Sequence, residues 1–416
     1  MKTKLFFLFV IVFSHFANAQ EVNCANKEKQ LSQFIADSDY AKALDLWNDA
    51  KTSCPTFSEK MYVLGSQVLQ YNIEIAKPED KEKNVRELIK LYTQLDKNFP
   101  NNKEGSFEKS AMALYNNKAG EEVEIYMLLD KAFELQKSTF TNPQAIFIYF
   151  NSYFDKYKSE NSSVTIEKLL TKYTSVASLV EENSQKFPEK ADENGRVLQG
   201  MNSLMDFYLI CDNLIPFAQK NFEANKSNAS WLGSIAKSLS VSCKSAPIFE
   251  TISLELHKVK PSSKSAYYLA TFYLNTGKQE KATDYFTQSI LLSNDKMEKA
   301  TTAYVAASVL ASSDKGKAKE MILLAIDNNP SNGKNYIFLA DLYANGLSEC
   351  ASNDDEKKAI YKLASDTVLK AAQAEPRLKT TSESMSKRYL QNVVVDKKSK
   401  VKSVYLGCWI NQAVQF

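Results

Sequence analysis

The chain has 416 residues, with 52 Lys and Arg against 49 Asp and Glu, and a formal net charge of +3. Because both signs are interspersed along the sequence, the charge distribution gives no indication of a nucleic-acid partner. Only 11 glycines occur, while Leu, Ala, Lys and Glu are abundant, and this composition favours helices over strands. The length exceeds one compact core, so we expect several domains or an array of repeats.

The first 19 residues predict an export signal. Lys2 and Lys4 precede the apolar run Leu5–Phe13, and Ala17-Asn18-Ala19 is typical of a cleavage site. The apolar run is too short to span a bilayer, and no cysteine follows it at the spacing of a lipid-attachment site. We therefore expect residues 1–19 to be removed and the chain to be periplasmic or secreted without a transmembrane segment. A peripheral association with the outer membrane stays open.

All six cysteines lie behind this signal, which favours disulfides. A helical hairpin returns to its starting end after about 30 residues. Cys24 and Cys54 have about this separation, as do Cys211 and Cys243, so sequential pairing is expected. By elimination Cys350 pairs with Cys408, which ties an insertion to the C-terminal tail. Buried free thiols are the alternative.

Residues 20–142 predict degenerate helical hairpins. The clearest pattern places Ala43, Trp47 and Ala50 on one face of a helix, with Pro55 after it. The two small residues let a partner helix cross closely, the larger residue wedges into the next hairpin, and the proline ends the helix. Residues 143–210 predict long helices without a repeat phase, and residues 211–262 predict further hairpins.

The same spacing returns in residues 263–376. It recurs at Ala318, Ile322, Ala325 and Pro330, and again at Ala364, Val368, Ala371 and Pro376. The repeat that begins at residue 263 has Leu269, Ala270, Tyr273 and Gly277 in its first helix and Ala282, Phe286 and Ser289 in its second. An insertion at Ala344 to Glu356 interrupts the last repeat. These positions predict a stack of similar hairpins.

This pattern resembles the tetratricopeptide repeat. Together with the Cys211–Pro216 stretch and the Gly407-Cys408-Trp409-Ile410 ending, it makes the chain similar to exported bacterial tetratricopeptide-repeat proteins. The resemblance implies an all-α fold, a right-handed α-solenoid of helical hairpins with a short β-rich C-terminal cap. It also implies a scaffold or adaptor in the cell envelope, and it brings no catalytic residues.

In such hairpins the first helices line a concave groove. The alignment places nine residues there: Lys264, Tyr267, Thr271, Leu274, Ala303, Ala307, Lys334, Ile337 and Asp341. The mixture is aromatic, apolar and lightly charged, so an extended apolar or helical segment of another protein is the expected ligand. The alternative is that Tyr267 and Ile337 only pack against neighbouring helices.

Residues 377–416 predict a tail rather than a further hairpin. Helical periodicity fades after Pro376, and Val393–Val395 and Val401–Trp409 predict short strands. We expect the tail to fold back on the last hairpin as a cap, because the end of a stacked array needs cover. Ligand recognition by Trp409 is the alternative.

The chain lacks the residues that common catalytic and metal sites need. Its mature part has one histidine, His257, expected in the last turn of a helix, and it has no phosphate-binding loop, nucleophile elbow or Cys-x-x-Cys pair. The Asn353–Glu356 stretch predicts a helix N-cap rather than a calcium loop. We expect no cofactor, metal or catalysis, and another protein as partner. An accessory subunit of an outer-membrane assembly or secretion machine stays open, as does a carbohydrate-binding or glycan-processing protein that stacks sugars on Trp231 or Trp409.

Overall fold

A computed structural model describes residues 23–393 and 402–416. The predicted signal, and the predicted strand residues Val394, Val395 and Val401, lie outside the described residues. The chain divides into two compact units, the first ending at Phe207 and the second beginning at Tyr208. Within the described residues the regular structure is helical apart from two short strands near the C-terminus, so the predicted all-α class is confirmed.

The first unit is a succession of helices in which neighbours along the chain pack together. α3 packs on α4, α4 on α5, α5 on α6, and α7 on both α8 and α9. The helices are α1 (residues 23–36), α2 (Tyr40–Ser53), α3 (Glu59–Ile75), α4 (Pro78–Asn98), α5 (Ser106–Asn117), α6 (Glu122–Leu135), α7 (Pro143–Lys158), α8 (Ile166–Lys186) and α9 (Ala191–Met205).

The second unit continues with helical hairpins and ends in a β-hairpin. α13 pairs with α14, α15 with α16, and α17 with α19. The elements are α10 (Cys211–Asn225), α11 (Ala229–Ser242), α12 (Pro247–Val259), α13 (Ser263–Asn275), α14 (Gln279–Leu292), α15 (Lys296–Leu310), α16 (Lys315–Asn328), α17 (Gly333–Ala344), α18 (Leu347–Cys350), α19 (Asp354–Ala374), α20 (Lys379–Leu390), β1 (Ser403–Leu406) and β2 (Gln412–Gln415).

The second-helix motif is buried at every position where the sequence predicts it. The three motif residues of α2, α14, α16 and α19 are each at most 1% exposed: Ala43, Trp47, Ala50; Ala282, Phe286, Ser289; Ala318, Ile322, Ala325; Ala364, Val368, Ala371. Small residues on both sides of a wedge side chain bring neighbouring helices close together. The pairs α13–α14, α15–α16 and α17–α19 therefore pack as the helical hairpins that the repeat spacing predicts.

Most of the prolines stand just after the end of a helix. Six of the ten stand two residues after the last helical residue, at Pro55, Pro100, Pro188, Pro261, Pro330 and Pro376. In each case the intervening residue leaves the helical conformation, as expected before proline, while its N–H still donates to the carbonyl four residues back. Pro188 ends α8 in this way, although the sequence around α8 shows no repeat phase.

Three disulfides join the same cysteine pairs that the sequence predicts, two of them from their spacing and the third by elimination. Cys24–Cys54 links α1 to the residue after α2, and Cys211–Cys243 links the start of α10 to the residue after α11. Each closes the open end of one hairpin. Cys350–Cys408 joins α18 to the turn between β1 and β2.

The segment after Pro376 differs from the prediction, because Lys379–Leu390 form α20. This helix packs on α19 in the position of a further first helix. Its buried residues are Ser382, Ser386 and Tyr389, and Ser386 Oγ lies 2.8 Å from Ser365 Oγ of α19. Since the inward face is mostly serine, the sequence carries no apolar stripe that would predict a helix.

The β-hairpin packs against α19. β1 pairs with β2 antiparallel, and Leu406, Ile410 and Val414 are buried in one apolar cluster with residues of α17 and α19. α19 has 21 residues where α14 and α16 have 14, so it offers about two further turns at its N-terminal end. Part of the predicted strand Val401–Trp409 is thus β1, while β2 is not predicted and Val393 lies in no strand.

Candidate interaction surface

The first helices of the second unit, α13, α15 and α17, carry the residues predicted to line a groove. Lys264 and Lys334 occupy the second repeat position of α13 and α17, and both are exposed. Tyr267, Thr271, Leu274, Ile337 and Asp341 are half-buried. These seven residues form the first-helix surface.

Two of its apolar residues also contact the hairpin core. The Tyr267 ring meets the Phe286 ring edge-to-face at 5.8 Å between centroids, and Ile337 packs on the buried cluster around α17 and α19. Their remaining accessible area is what a partner could contact. The side chains therefore pack on the core, as the alternative interpretation expects, and they are half-buried rather than covered; partner binding by them stays a prediction.

The prediction is wrong for Ala303 and Ala307. Both are 0% exposed and belong to the same buried cluster as Leu339 and Ala340 of α17. A methyl side chain reaches only a short way from its helix, so helices packed on α15 cover these positions completely. α15 thus contributes neither of its two predicted residues to the first-helix surface.

Sequence reasoning missed a row of aromatic residues on the same helices. Tyr268, Tyr304 and Phe338 each occupy the sixth position of their repeat and are half-buried. The Tyr304 and Phe338 rings lie 5.5 Å apart and link α15 to α17, while the Tyr268 ring lies 6.3 Å from that of Phe249. The signal that could have found them is their common repeat position.

Asp341 is held by α20. The Tyr389 hydroxyl donates to Asp341 Oδ1 at 2.6 Å. Burial, together with this carboxylate, raises the pKa of Tyr389 well above its usual value, so the hydroxyl stays protonated and keeps donating. The contact fixes one acidic side chain at the end of the first-helix surface.

The two tryptophans considered for sugar stacking have other contacts. Trp231 is 8% exposed. The half-buried Trp409 ring stacks on Tyr343 at 6.1 Å, with a 17° angle between the planes, and its Nε1 donates to Glu349 Oε2 at 2.9 Å. Tyr343 thus covers one face of Trp409, which supports the packing role of this residue over ligand recognition.

The other polar residues that the sequence singles out have local structural roles. His257 lies in the last turn of α12, with Nδ1 2.8 Å from Ser265 Oγ. Asn353 caps α19 by accepting from the N–H of Glu356, and the Glu356 carboxylate accepts from Ser352. Within the described residues no group of three His, Cys, Asp or Glu side chains is arranged to hold a metal ion.

A cluster of titratable groups in the first unit surrounds Lys172. Lys172 Nζ lies 4.8–5.3 Å from the ring centroids of Tyr149, Tyr153 and Phe133, and 3.3 Å from Asp130 Oδ1. The Tyr149 hydroxyl donates to the same Asp130 oxygen at 2.6 Å, and burial together with this carboxylate raises the pKa of Tyr149 strongly. Although burial opposes it, the hydrogen bond from Tyr149 and the charge of Lys172 lower the pKa of Asp130. Asp130 of α6 is thus held by a hydrogen bond from Tyr149 of α7 and by an ion pair with Lys172 of α8, and the cluster links the three helices.

Comparison with known proteins gives structural similarity alone. No protein-family model and no curated protein sequence matches the chain. Solved structures that match include yeast Tom70, with 10% identity and a TM-score of 0.25, covering 89% of this chain and 96% of that chain. Another is the APC/C hetero-tetramer Cut9-Hcn1, with 12% identity and a TM-score of 0.27, covering 88% and 90%. TM-scores this low carry no inference about function. None of the described helices is both long and apolar enough to cross a bilayer.

Proposed function

We propose that this protein is an exported scaffold or adaptor of the bacterial cell envelope that binds another protein and performs no catalysis. The observation that carries the proposal is the repetition of the hairpins α13–α14 and α17–α19. They present Lys264 and Lys334 at one repeat position, and Tyr267 and Ile337 at another. Equivalent side chains at regular intervals suit an extended apolar or helical segment with a few acidic groups.

Export is supported by the three disulfides. Cysteines paired in this way persist in oxidising compartments such as the periplasm or the extracellular space. Alkylation of intact cells under non-reducing conditions, followed by mass spectrometry, tests this part. We expect no alkylated cysteine in the mature chain, and a fully alkylated chain would contradict export.

Site-specific photo-crosslinking in cells tests the binding surface. A photoreactive amino acid replaces Lys264 or Lys334, and the matched control positions are Glu280 and Lys370, which are exposed on the second helices α14 and α19. We expect both first-helix positions to capture the same protein and the control positions to capture it much less. Equal capture from all four positions, or none from any, would contradict the proposal.

A further inference from the structure

The first unit has an open cleft between α2, α3 and α4 that none of the functions above uses. Its volume is about 630 Å³. Its aromatic wall consists of Trp47, Phe57 and Tyr62, whose rings follow one another at 5.2 and 5.4 Å between centroids. We call it the α2–α4 cleft, and its apolar wall fits an aromatic side chain.

Lysines on α4 give the rim of the cleft an uncompensated positive charge. Lys51 pairs with Glu87 across the cleft at 2.5 Å, and Arg86 is engaged by Glu82 and Glu124. Lys83 and Lys90 also line the cleft, and both are exposed. Neither has an ion-pair or hydrogen-bond partner within residues 23–393 and 402–416. Two cations are therefore available to an anionic ligand.

One side chain that lines the cleft carries a buried hydrogen-bond donor. Trp47 lines it and is 1% exposed, and its Nε1–H has no hydrogen-bond acceptor among the described residues. A buried donor without an acceptor destabilises the protein that contains it. Because Nε1 has less than 1 Å² of accessible surface, an acceptor on a ligand reaches it only if the Trp47 ring moves toward the cleft.

We propose that the α2–α4 cleft binds an extended segment of a partner protein in which an aromatic side chain is flanked by carboxylates. Lys83 and Lys90 are seven residues apart on one face of α4, which is about 10 Å along the helix axis. In an extended segment the residues i, i+2 and i+4 share a face, and the outer two are about 13 Å apart. The flexible lysine stems can span the difference, so Glu-x-Phe-x-Glu matches both the rim and the wall.

This site is separate from the first-helix surface. α2 and α4 are second helices of their hairpins, and every residue of the cleft belongs to the first unit, whereas the first-helix surface belongs to the second unit. Either proposal can therefore fail while the other stands. The protein would then hold two segments of different chemistry, one mostly apolar and one acidic and aromatic.

A peptide-binding measurement on the full-length oxidised protein tests the proposal. The probe is Gly-Glu-Ser-Phe-Ser-Glu-Gly with a neutral fluorophore, and its affinity is measured by fluorescence anisotropy. The double variant Lys83→Gln, Lys90→Gln is compared with Lys81→Gln, Lys97→Gln, which removes the same charge from α4 outside the cleft. We expect the cleft variant to weaken binding by roughly two- to thirtyfold and the control variant by much less.

Two further arms identify what the cleft recognises. A peptide with Gln in place of both Glu, and one with Ala in place of Phe, should each bind more weakly than the probe. Binding should also change the tryptophan emission of the wild-type protein, and this change should be absent in Trp47→Phe. Equal affinity of the two lysine variants, equal affinity of the Gln peptide, or no binding of the probe up to about 1 mM would each overturn the proposal.

Discussion

Gly65 of α3 is where a single methyl group would disturb the packing between hairpins. A Cβ at this position would lie 2.3–2.7 Å from three atoms at the far edge of the Trp47 ring. Carbon atoms in contact are normally about 3.5–4.0 Å apart, so the ring or the helix would have to move by about 1 Å. Trp47 is 1% exposed, and its far ring edge lies directly against the Gly65 position. Gly65→Ala should therefore push the second-helix wedge of α2 out of place.

The expected net effect is a destabilisation of about 1–2 kcal/mol. Overpacking a filled core costs about 1–3 kcal/mol, and the better helix propensity of alanine offsets up to about 1 kcal/mol of it. The matched control is Gly195→Ala in α9 of the same unit, where an added Cβ would meet no atom within 4 Å. There only the propensity gain remains, so we expect a stabilisation of about 0.5–1 kcal/mol.

Urea unfolding of the oxidised protein, followed by far-UV circular dichroism, measures both changes. The Gly65→Ala substitution is also made in a Trp47→Leu background, where the smaller side chain leaves space for the methyl group. We expect the penalty to shrink or vanish there, which gives a coupling energy between the two positions. If Gly65→Ala stabilises the wild-type background as much as Gly195→Ala does, the packing argument is refuted.

Three other predictions follow from contacts described above. Replacing both Cys350 and Cys408 by serine opens a loop with a sequence separation of 58 and should cost roughly 4 kcal/mol in the chain-entropy model, measured by urea unfolding; an unchanged midpoint would contradict it. Burial raises the pKa of Tyr343 to about 12, above the value of about 10 in the unfolded chain, so its contribution is complete below pH 10 and is lost as the pH rises to 12. Between pH 10 and pH 12 the free energy of unfolding should therefore fall less steeply in Tyr343→Phe than in the wild type. An identical pH dependence of the two proteins would count against this. Lys172→Met should destabilise the first unit by about 1–3 kcal/mol in thermal and urea unfolding, whereas the matched change at the exposed Lys131, over a single ring, should cost less than about 0.5 kcal/mol.

The features that the sequence predicts well are those that sterics impose on particular residue types. Alanine pairs such as Ala318 and Ala325 mark close helix crossings, because a larger side chain would separate the helices. Cysteine spacing predicts the disulfides Cys24–Cys54 and Cys211–Cys243, because a hairpin of two packed helices returns to its start after about 30 residues. The end of α8 could have been predicted too, because Pro188 follows that helix at the same distance at which Pro330 and Pro376 follow theirs.

The features that the sequence does not predict depend on tertiary surroundings. α20 packs through Ser382, Ser386 and Tyr389. Serine is common in loops as well as in helices, so these residues in the sequence do not predict a buried helix face. The burial of Ala303 and Ala307 depends on how closely other helices pack on α15, which the repeat alignment does not contain. The α2–α4 cleft is formed by three helices and the loop after Cys54, so it exists only once these elements are packed.

The polar character of α20 has a consequence for assembly. Its exposed residues are almost all polar: Lys379, Thr380, Thr381, Glu383, Ser384, Lys387 and Arg388. A hairpin added beyond α20 would bury these groups without partners and gain almost no apolar contact. The outer face of α20 therefore offers little to a further hairpin or to a second copy of the protein. This polar face disfavours open-ended filaments that would grow by stacking on α20.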